Sequence, residues 1–565
     1  MKQLFQRHLP PLLIAPSLIV CLLFFYGFMA WTGWISLTRS GLLPSNDFVG
    51  WMQYQRLFAD DRWLGALANL ARFAGLFIAI PLALGLLLAV LLDQKLRAEG
   101  ALRLIYLHPM ALSLIVTGTV WRWLLDPELG LPQGVRQLGF PDFRFDWLAD
   151  EQMALYTLVI AAVWQITGFV MAVFLAGLRG VDDAVVNAAR LDGARGFTLY
   201  RRILLPTLGP SLFSALLVLL PASIKSFDLV VALTDGGPGH ASELPALYMF
   251  QMAFERSRLG LGAASAMVMM MMVLSIALPY AYARGRASTR QGQVMLKRSL
   301  AYALAALFAI YFILPLAFML LNSFKSAAEL QQGGFLGWPQ VPGLEGWRQA
   351  WAALGGSFGN SLLLALPVVA ASSLLAALNG FILCKFRFRG SEAIFLLLLV
   401  ALFLPIKVYL LPLAISLARL GLDKSLGVLI AIHVIYSLPL ALFFRNHYLG
   451  FPDELLRAAR IDGAGFWALF TRIVLPLSKP VFVVVVILQF TTIWNEYLFG
   501  LVFTGDGDRP ITAALAQLGA AGEGGVKQYN VEMAGALLAA LPTLAVYLLA
   551  GRHFTRGLVA GAVKG

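Results

Sequence analysis

Charged residues are scarce in this 565-residue sequence, where Asp, Glu, Lys and Arg together account for 13% of positions. Hydrophobic residues account for 59%, and the mean hydropathy is +0.78. Soluble globular domains carry about 25% charged residues. The composition therefore excludes an ordinary soluble protein and indicates a chain that lies largely within a membrane.

Cysteine is nearly absent as well. Cys21 and Cys384 lie in separate apolar runs, which excludes a framework of disulfides. The six histidines show no metal-ligand spacing, and no nucleophile–base set stands out, so a membrane-embedded enzyme is disfavoured. The nucleotide-binding pattern Gly-x-x-x-x-Gly-Lys-Ser/Thr does not occur. We therefore expect that any ATP hydrolysis is performed by a partner protein.

Long uncharged runs, by contrast, are abundant. Runs such as 73–92 and 259–283 are long enough to cross the hydrocarbon core of a bilayer, which is roughly 30 Å thick. They are continuous rather than alternating, so they predict helices and not a barrel. The sequence predicts twelve transmembrane helices, at 11–35, 67–92, 104–126, 153–178, 208–232, 261–283, 299–321, 359–384, 392–414, 425–445, 480–503 and 532–554.

The basic residues indicate the orientation of these helices. Lys and Arg gather in every second loop, which predicts that those loops and both termini are cytoplasmic. Lys2 and Arg7 precede an apolar run that is too long for a signal peptide and has no cleavage site, so we interpret it as an uncleaved first span. This topology accounts for the net charge of +13, and no nucleic-acid partner is expected.

One polar stretch occurs twice in the chain. The first copy contains Asn187, Ala188, Ala189, Arg190, Leu191, Asp192, Gly193, Ala194 and, further on, Pro206. The second copy contains Arg457, Ala458, Ala459, Arg460, Ile461, Asp462, Gly463, Ala464 and, further on, Pro476. Corresponding residues are 270 positions apart. The chain is therefore predicted to contain two parallel six-helix halves, 1–283 and 299–565, joined by a cytoplasmic linker, 284–298.

Each copy predicts two short helices that are joined by a turn on the cytoplasmic face. Asp182 or Asp183 can cap the first helix of copy one, and 452–454 fits a helix start in copy two. Gly193 and Gly463 permit the left-handed conformation that ends a helix. The alanine pairs would let another protein approach closely, and the proline that follows in each copy is expected to open the next span.

The pattern Ala-Ala-x-x-Asp-Gly-Ala, followed by Ile-x-Leu-Pro, resembles the EAA coupling loop of ABC importer permeases. Further stretches resemble the two subunits of sugar permeases, and the last of them is most similar to the glucose/mannose-type branch; they are 48–54, 233–239, 385–390, 494–496 and 529–558. The resemblance implies an all-α polytopic chain with the type I ABC importer permease fold. Two carbohydrate-uptake permeases of the glucose/maltose-type class would be fused in this one chain, in the inner membrane of a bacterium.

The sequence departs from the family pattern at one position. The coupling loop of the family usually begins with Glu, whereas Asn187 and Arg457 stand there in this chain. The sequence therefore does not indicate which residues of the partner would contact Asn187 and Arg457.

The resemblance also implies partners. Two copies of a sugar-type ABC ATPase would dock on the two coupling loops and use ATP and Mg, while the chain itself would bind no cofactor. A periplasmic solute-binding protein would deliver a mono- or small oligosaccharide to the chain, which would form the pore to the cytoplasm and have membrane lipid around it. An ion-coupled secondary sugar carrier, with Asp228 or Glu496 as its titratable group, is the alternative. It leaves the duplicated loop unexplained.

Polar and aromatic side chains in the fifth span of each half are candidates for the sugar path. They are Lys225, Phe227, Asp228, Trp494, Asn495 and Glu496. A charge at the centre of a membrane helix costs roughly 2.5–3.5 kcal/mol on insertion scales, so such residues mark function or pairing. Lys225 and Asp228 are spaced to neutralise one another, and hydrogen-bonding groups beside a flat ring suit a sugar. A structural ion pair with hydrogen bonds between spans explains the same residues equally well.

Four further residues are weaker candidates for the path: Lys407, Trp164, Gln165 and His433. Lys407 lies between two prolines, and broken helices can line a transport path. Simple helix packing is the competing explanation for Trp164, Gln165 and His433.

Overall fold

The computed structural model describes residues 2–94, 99–128, 130–180, 207–283, 298–331, 337–386, 388–404, 409–422, 424–518 and 528–563. These residues are mostly helical, and the strand-like pairing found among them is an isolated bridge between Thr38 and Phe48.

The helices of the first half follow the predicted spans closely. They are α1 (Lys2–Cys21), α2 (Phe28–Ser36), α3 (Met52–Phe58), α4 (Asp61–Asp93), α5 (Glu99–Leu107), α6 (Leu114–Leu124), α7 (Leu131–Gln137), α8 (Ala154–Arg179), α9 (Gly209–Ile224), α10 (Asp228–Leu233), α11 (Pro245–Phe250) and α12 (Leu259–Ala283). A π-helical turn, Leu22–Gly27, connects α1 to α2 as one span. Side chains cap the N-termini of two helices. The Asp60 carboxylate accepts a hydrogen bond from the Arg62 amide at the start of α4, and the Ser113 hydroxyl accepts one from the Val116 amide at the start of α6.

The second half has the same general order. Its helices are α13 (Arg298–Ser323), α14 (Ala327–Gln331), α15 (Glu345–Lys385), α16 (Ser391–Phe403), α17 (Leu410–Arg419), α18 (Leu426–Tyr436), α19 (Ala441–Tyr448), α20 (Asp453–Ile461), α21 (Phe466–Ala468), α22 (Leu475–Leu477), α23 (Lys479–Trp494), α24 (Leu498–Phe503), α25 (Ile511–Leu518) and α26 (Tyr529–Val563). A π-helical turn, Leu469–Val474, connects α21 to α22.

Every predicted span has helix at its position. Among the described residues, seven helices are long and apolar enough to cross a membrane, and two strongly bent pairs raise the number to nine. Shorter apolar helices occupy the remaining positions: Gly209–Ile224, Leu259–Ser275, Ser391–Leu402 and Leu410–Arg419. The prediction of a polytopic all-α protein is confirmed.

The structure corrects several predicted boundaries. The fifth span of each half is broken, because α9 ends before Lys225 and α23 ends before Asn495, and a short helix follows each break. The predicted span 392–414 is likewise divided into α16 and α17. α15 begins at Glu345 rather than at 359, since its first turns are too polar to register as a membrane run.

The two halves repeat this break with an unchanged offset. α9 and α23 each have 16 residues, and α10 and α24 each have six. Both pairs are displaced by 270 positions, as are the duplicated polar stretches. Phe227 and Tyr497, which occupy the same position in the two breaks, stack on each other with ring centroids 6.3 Å apart. The approximate twofold axis of the molecule therefore passes between these two rings.

Each half packs its first span against the other half. In the first span, the Tyr26 hydroxyl donates to the Leu397 carbonyl at 2.7 Å. In α13, the first span of the second half, the Ala305 carbonyl accepts from Tyr106 at 2.6 Å and the Phe312 carbonyl accepts from Trp164 at 3.2 Å. The two halves are thus interlocked through their first spans.

Candidate functional site

The second copy of the duplicated stretch forms a short helix with a glycine end. α20 begins after Pro452 and has Asp453 and Glu454 in its first turn, where acidic side chains favour the helix dipole. The Ala464 amide donates to the Ala459 carbonyl at 2.9 Å, and the Gly463 amide to the Arg460 carbonyl at 3.1 Å. Gly463 has a φ of +83°. These two bonds and the left-handed glycine are a Schellman motif, so the predicted helix end is confirmed.

The first copy lies outside the described residues. This applies to Asn187, Ala188, Ala189, Asp192, Gly193, Ala194 and Pro206. Their predicted arrangement stays a prediction.

Most of α20 is exposed. Leu456 is its buried anchor, at 4% exposure, whereas Arg457 and Ala458 are exposed and Ala459 and Ala464 are half-buried. Large apolar side chains on and beside the helix are exposed too; they are Leu455, Ile461 and Trp467. We call Leu455, Arg457, Ala458, Ile461, Asp462 and Trp467 the α20 surface. Exposed apolar side chains beside small residues are typical of a protein-binding surface.

The segment after α20 differs in one detail from the prediction. Pro476 lies in α22, and the chain bends by 76° before α23 begins at Lys479. Ser478 lies at the bend, where its hydroxyl donates to the Val474 carbonyl at 2.5 Å and forms a hydrogen bond with the Tyr448 hydroxyl at 3.0 Å. Pro476 therefore precedes the bend instead of opening the span.

A lysine at the end of α15 fixes the start of α20. The Lys385 ammonium donates to Asp453 Oδ1 at 2.8 Å and to the Phe451 carbonyl at 2.9 Å. This hydrogen bond, together with the lysine charge, lowers the pKa of the Asp453 carboxyl. Sequence reasoning placed Lys385 in a family-like motif without finding this role, because the two charges are 68 positions apart.

Trp494 and Phe227, the two rings predicted to face a sugar, are covered by other rings. Trp494 is fully buried, 5.2 Å from Phe358 between ring centroids, and its indole donates to the Ala539 carbonyl at 2.7 Å. Phe227 is 1% exposed and packs against Tyr497. Both rings are buried against neighbouring side chains in this conformation, so the predicted stacking of a sugar on them stays a prediction.

The polar candidates of the fifth spans lie at the two breaks. Lys225 follows α9 and Asp228 begins α10, and both are half-buried. Asn495 donates to the Ala111 carbonyl of the other half at 3.1 Å, and Glu496 accepts from the Phe499 amide at 3.0 Å. The breaks therefore bring polar groups of both halves to the middle of the molecule, and part of their hydrogen bonding holds the breaks in shape.

Three of the weaker candidates have contacts that explain them by packing. Trp164 donates to the Phe312 carbonyl, and Gln165 to the Leu112 carbonyl at 2.9 Å. The buried His433 ring packs on Phe499 at 5.6 Å between centroids. Lys407 lies outside the described residues.

The first half contains a buried ion pair that sequence reasoning missed. It joins the start of α4 to the loop before α11. Arg62 donates from Nε and Nη2 to the two carboxylate oxygens of Glu243, each at 2.6 Å, and also bonds to Gln251. Glu243 is fully buried and also lies 3.2 Å from His240. Nearby, burial raises the pKa of Asp235. A Glu shortly after the glycine-rich stretch 233–239 was the available signal, although its partner is 181 positions away.

Comparison with known proteins shows which family this chain belongs to. Residues 76–291 and 360–557 each match the family of binding-protein-dependent transport system inner membrane components. Together these matches cover more than half of the sequence. The chain belongs to this family. The two matches fall in the two halves, so the permease contains the family unit twice.

Individual relatives agree with this duplication. A probable ABC transporter permease protein of Pyrococcus horikoshii is 38% identical over 248 residues, which are 44% of the permease and 85% of that relative. The xylose/arabinose import permease protein XacI of Haloferax volcanii is 32% identical over 289 residues, 47% of the permease and 93% of the relative. Because less than half of the permease covers most of each relative, the permease joins two such subunits in one chain.

One solved structure is also similar. It is the crystal structure of a bacterial ABC transporter involved in the import of the acidic polysaccharide alginate, with 18% identity and a TM-score of 0.45 over 51% of the permease and 99% of that chain.

Proposed function

We propose that this permease is the complete membrane pore of an ATP-driven importer that carries a mono- or small oligosaccharide from the periplasm to the cytoplasm. The observation that carries the proposal is the double family match, together with a duplicated polar stretch whose second copy is an exposed helix. Sugar as the substrate is supported by relatives named for xylose/arabinose and for trehalose/maltose transport. Relatives named for sn-glycerol-3-phosphate transport and diacetylchitobiose uptake widen the range of substrates to be tested.

Two ATPase subunits would dock on the permease from the cytoplasm, one on the α20 surface and one on the first copy of the stretch. Both termini, the linker 284–298 and α20 then lie on the cytoplasmic side of the inner membrane. ATP and Mg are bound by the ATPases, and the permease contributes no nucleotide site. Closure of the ATPase pair moves both stretches together, which rotates one half against the other.

On the opposite side, a periplasmic binding protein would deliver the sugar to the mouth between the halves. The sugar would pass the two breaks, which carry Lys225 and Asp228 in one half and Asn495 and Glu496 in the other. Hydroxyl groups need donors and acceptors, and these residues supply both. Opening of the halves would separate the stacked rings of Phe227 and Tyr497, which lie on the axis.

Reconstitution with the neighbouring-gene ATPase and binding protein tests the proposal. In liposomes with enclosed ATP and Mg, we expect accumulation of one radiolabelled sugar from a panel that includes xylose, arabinose, maltose and trehalose. Accumulation should persist when ionophores collapse the proton and sodium gradients. Uptake that follows an ion gradient and ignores the ATPase would establish the secondary carrier instead.

A further inference from the structure

α15 holds both ends of α20 through two consecutive residues. Lys385, the last residue of α15, has a side chain that is only 10% exposed and binds Asp453 and the Phe451 carbonyl at the start of α20. The next residue, Phe386, lies under the Arg460 guanidinium in the last turn of α20, 5.5 Å from the ring centroid. α20 therefore cannot move relative to α15 without breaking both contacts.

An aromatic cluster behind these contacts stiffens the junction. The rings of Phe381 and Phe386 lie 5.3 Å apart, and Phe466, which begins the helical segment after α20, lies within 5.8 Å of both. A β-carbon at Gly380 would lie 2.7 Å from Phe444 Cβ, so α15 also meets α19 backbone to backbone. Interiors packed this closely transmit displacement instead of absorbing it.

The other part of α15 contacts the segment that follows the break in the fifth span. Asn360 donates to the Gly507 and Arg509 carbonyls at 2.8 and 3.2 Å. The Ser361 hydroxyl accepts from the Ile511 amide at 2.8 Å. Phe358 packs on Trp494, which ends α23 at the break. A single stretch of α15, about one turn long, thus contacts the residues on both sides of the Asn495–Glu496 break.

The path through α15 also has fewer backbone breaks than the path along the chain. α15 is helical throughout Glu345–Lys385, although Pro367 lies inside it. At 1.5 Å per residue, Asn360 and Lys385 are about 38 Å apart, comparable to the hydrocarbon thickness of a bilayer. The direct connection from α20 to α23 instead passes a π-helical turn and a 76° bend. An uninterrupted helix transmits axial displacement better than a segment with these breaks.

From these contacts we propose that α15 is the mechanical link that carries motion of α20 to the polar break at Asn495–Glu496, with Lys385 as the positioning residue at the driven end. The inference rests on the proposed ATP-driven function. It assigns to the motif at 385–390 a role in transmitting force rather than in binding the ATPase or the sugar.

The test uses the full-length permease in liposomes with its ATPase and binding protein, and measures sugar uptake, ATP hydrolysis and ATPase co-purification. Lys385→Met should reduce sugar moved per ATP hydrolysed roughly threefold to tenfold, the loss expected for one charge-assisted contact that is partly open to water. ATPase co-purification should be unchanged. Lys385→Arg, which keeps the charge, should restore most of the coupling.

Two further variants make the result specific. Arg389→Met removes an exposed charge from the same motif and should leave uptake per ATP unchanged. Asn360→Leu removes the contact at the far part of α15, does not touch α20, and should cause the same loss as Lys385→Met. Full uptake per ATP in Lys385→Met, or loss of ATPase binding with unchanged uptake per ATP, would overturn the link. If the unmodified permease shows no ATP-driven uptake, the proposed function itself fails.

Discussion

Gly463 shows how one residue shapes the α20 surface. Its φ of +83° lies in the left-handed region, and a β-carbon there would meet no other atom within 4 Å. The requirement for glycine is therefore one of backbone conformation and not of space. A side chain at this position strains the turn that separates α20 from α21.

Gly463→Ala should weaken the α20 end by about 1–2 kcal/mol, the cost of a left-handed L-residue. We expect normal insertion and reduced ATP-driven uptake, measured in the reconstituted system. Gly75→Ala is the matched control, because Gly75 lies within α4 and also has open space around it. Equal uptake by the two variants would show that the turn does not need this conformation.

Lys325 is a buried charge just beyond the end of α13. It is 2% exposed, and burial lowers the pKa of its ammonium from 10.5 to about 8. An unfolded chain keeps the ordinary pKa, so both states are neutral above 10.5. As the pH falls from 10.5 towards 8, the unfolded lysine binds its proton first, which favours unfolding. Below 8 the penalty is constant.

The detergent-purified permease should therefore lose stability as the pH falls from 10.5 to 8, and Lys325→Met should remove this component. Lys424→Met, at an exposed position, provides the control. Parallel pH profiles of all three proteins would contradict the assignment.

At the scale of elements, the Arg62–Glu243 pair fastens α4 to the loop before α11. Its two side chains are 11% and 1% exposed, unlike those of Arg39 and Asp47, which are 64% and 56% exposed. Two parallel bonds hold the guanidinium against the carboxylate. Such a pair restricts the loop more than it adds to net stability.

Arg62→Met leaves the Glu243 carboxylate buried without its counter-ion and should destabilise the permease by about 3–5 kcal/mol. Arg39→Met should change stability by about 1 kcal/mol or less, because its pair is solvated. Thermal unfolding in detergent measures both. A combined Arg62→Met, Glu243→Leu variant should recover part of the loss; a strictly additive loss would contradict a direct pair.

The helices themselves were largely predictable, and their contacts were not. Apolar runs locate the spans because a bilayer imposes a length, and a glycine after a short polar helix predicts how α20 ends. The breaks after Ile224 and Trp494 were missed, since a polar residue in a span does not reveal how the backbone turns there. The same limit applies to Lys385 and Asp453, whose contact depends on how two helices pack.

On the scale of the whole molecule, the first span of each half packs against the other half. These contacts should keep the halves together without a covalent connection. Residues 1–290 and 291–565 expressed as two chains should co-purify and retain ATP-driven uptake. A first fragment that lacks residues 1–36 should retain less of the second, because it loses the bond from Tyr26 to Leu397 and keeps those from Tyr106 and Trp164 to α13. Affinity purification through a tag on one fragment decides between these outcomes.

The unchanged offset between the two breaks has a further consequence. A homodimer would place identical residues on both sides of its axis, so any charge at the constriction would occur twice. Here the ring pair Phe227–Tyr497 marks the axis, with a lysine and a serine beside one ring where an asparagine and a glutamate stand beside the other. The single chain holds one copy of each, so on the proposed path these residues would offer a solute two chemically different walls and thereby distinguish its two faces.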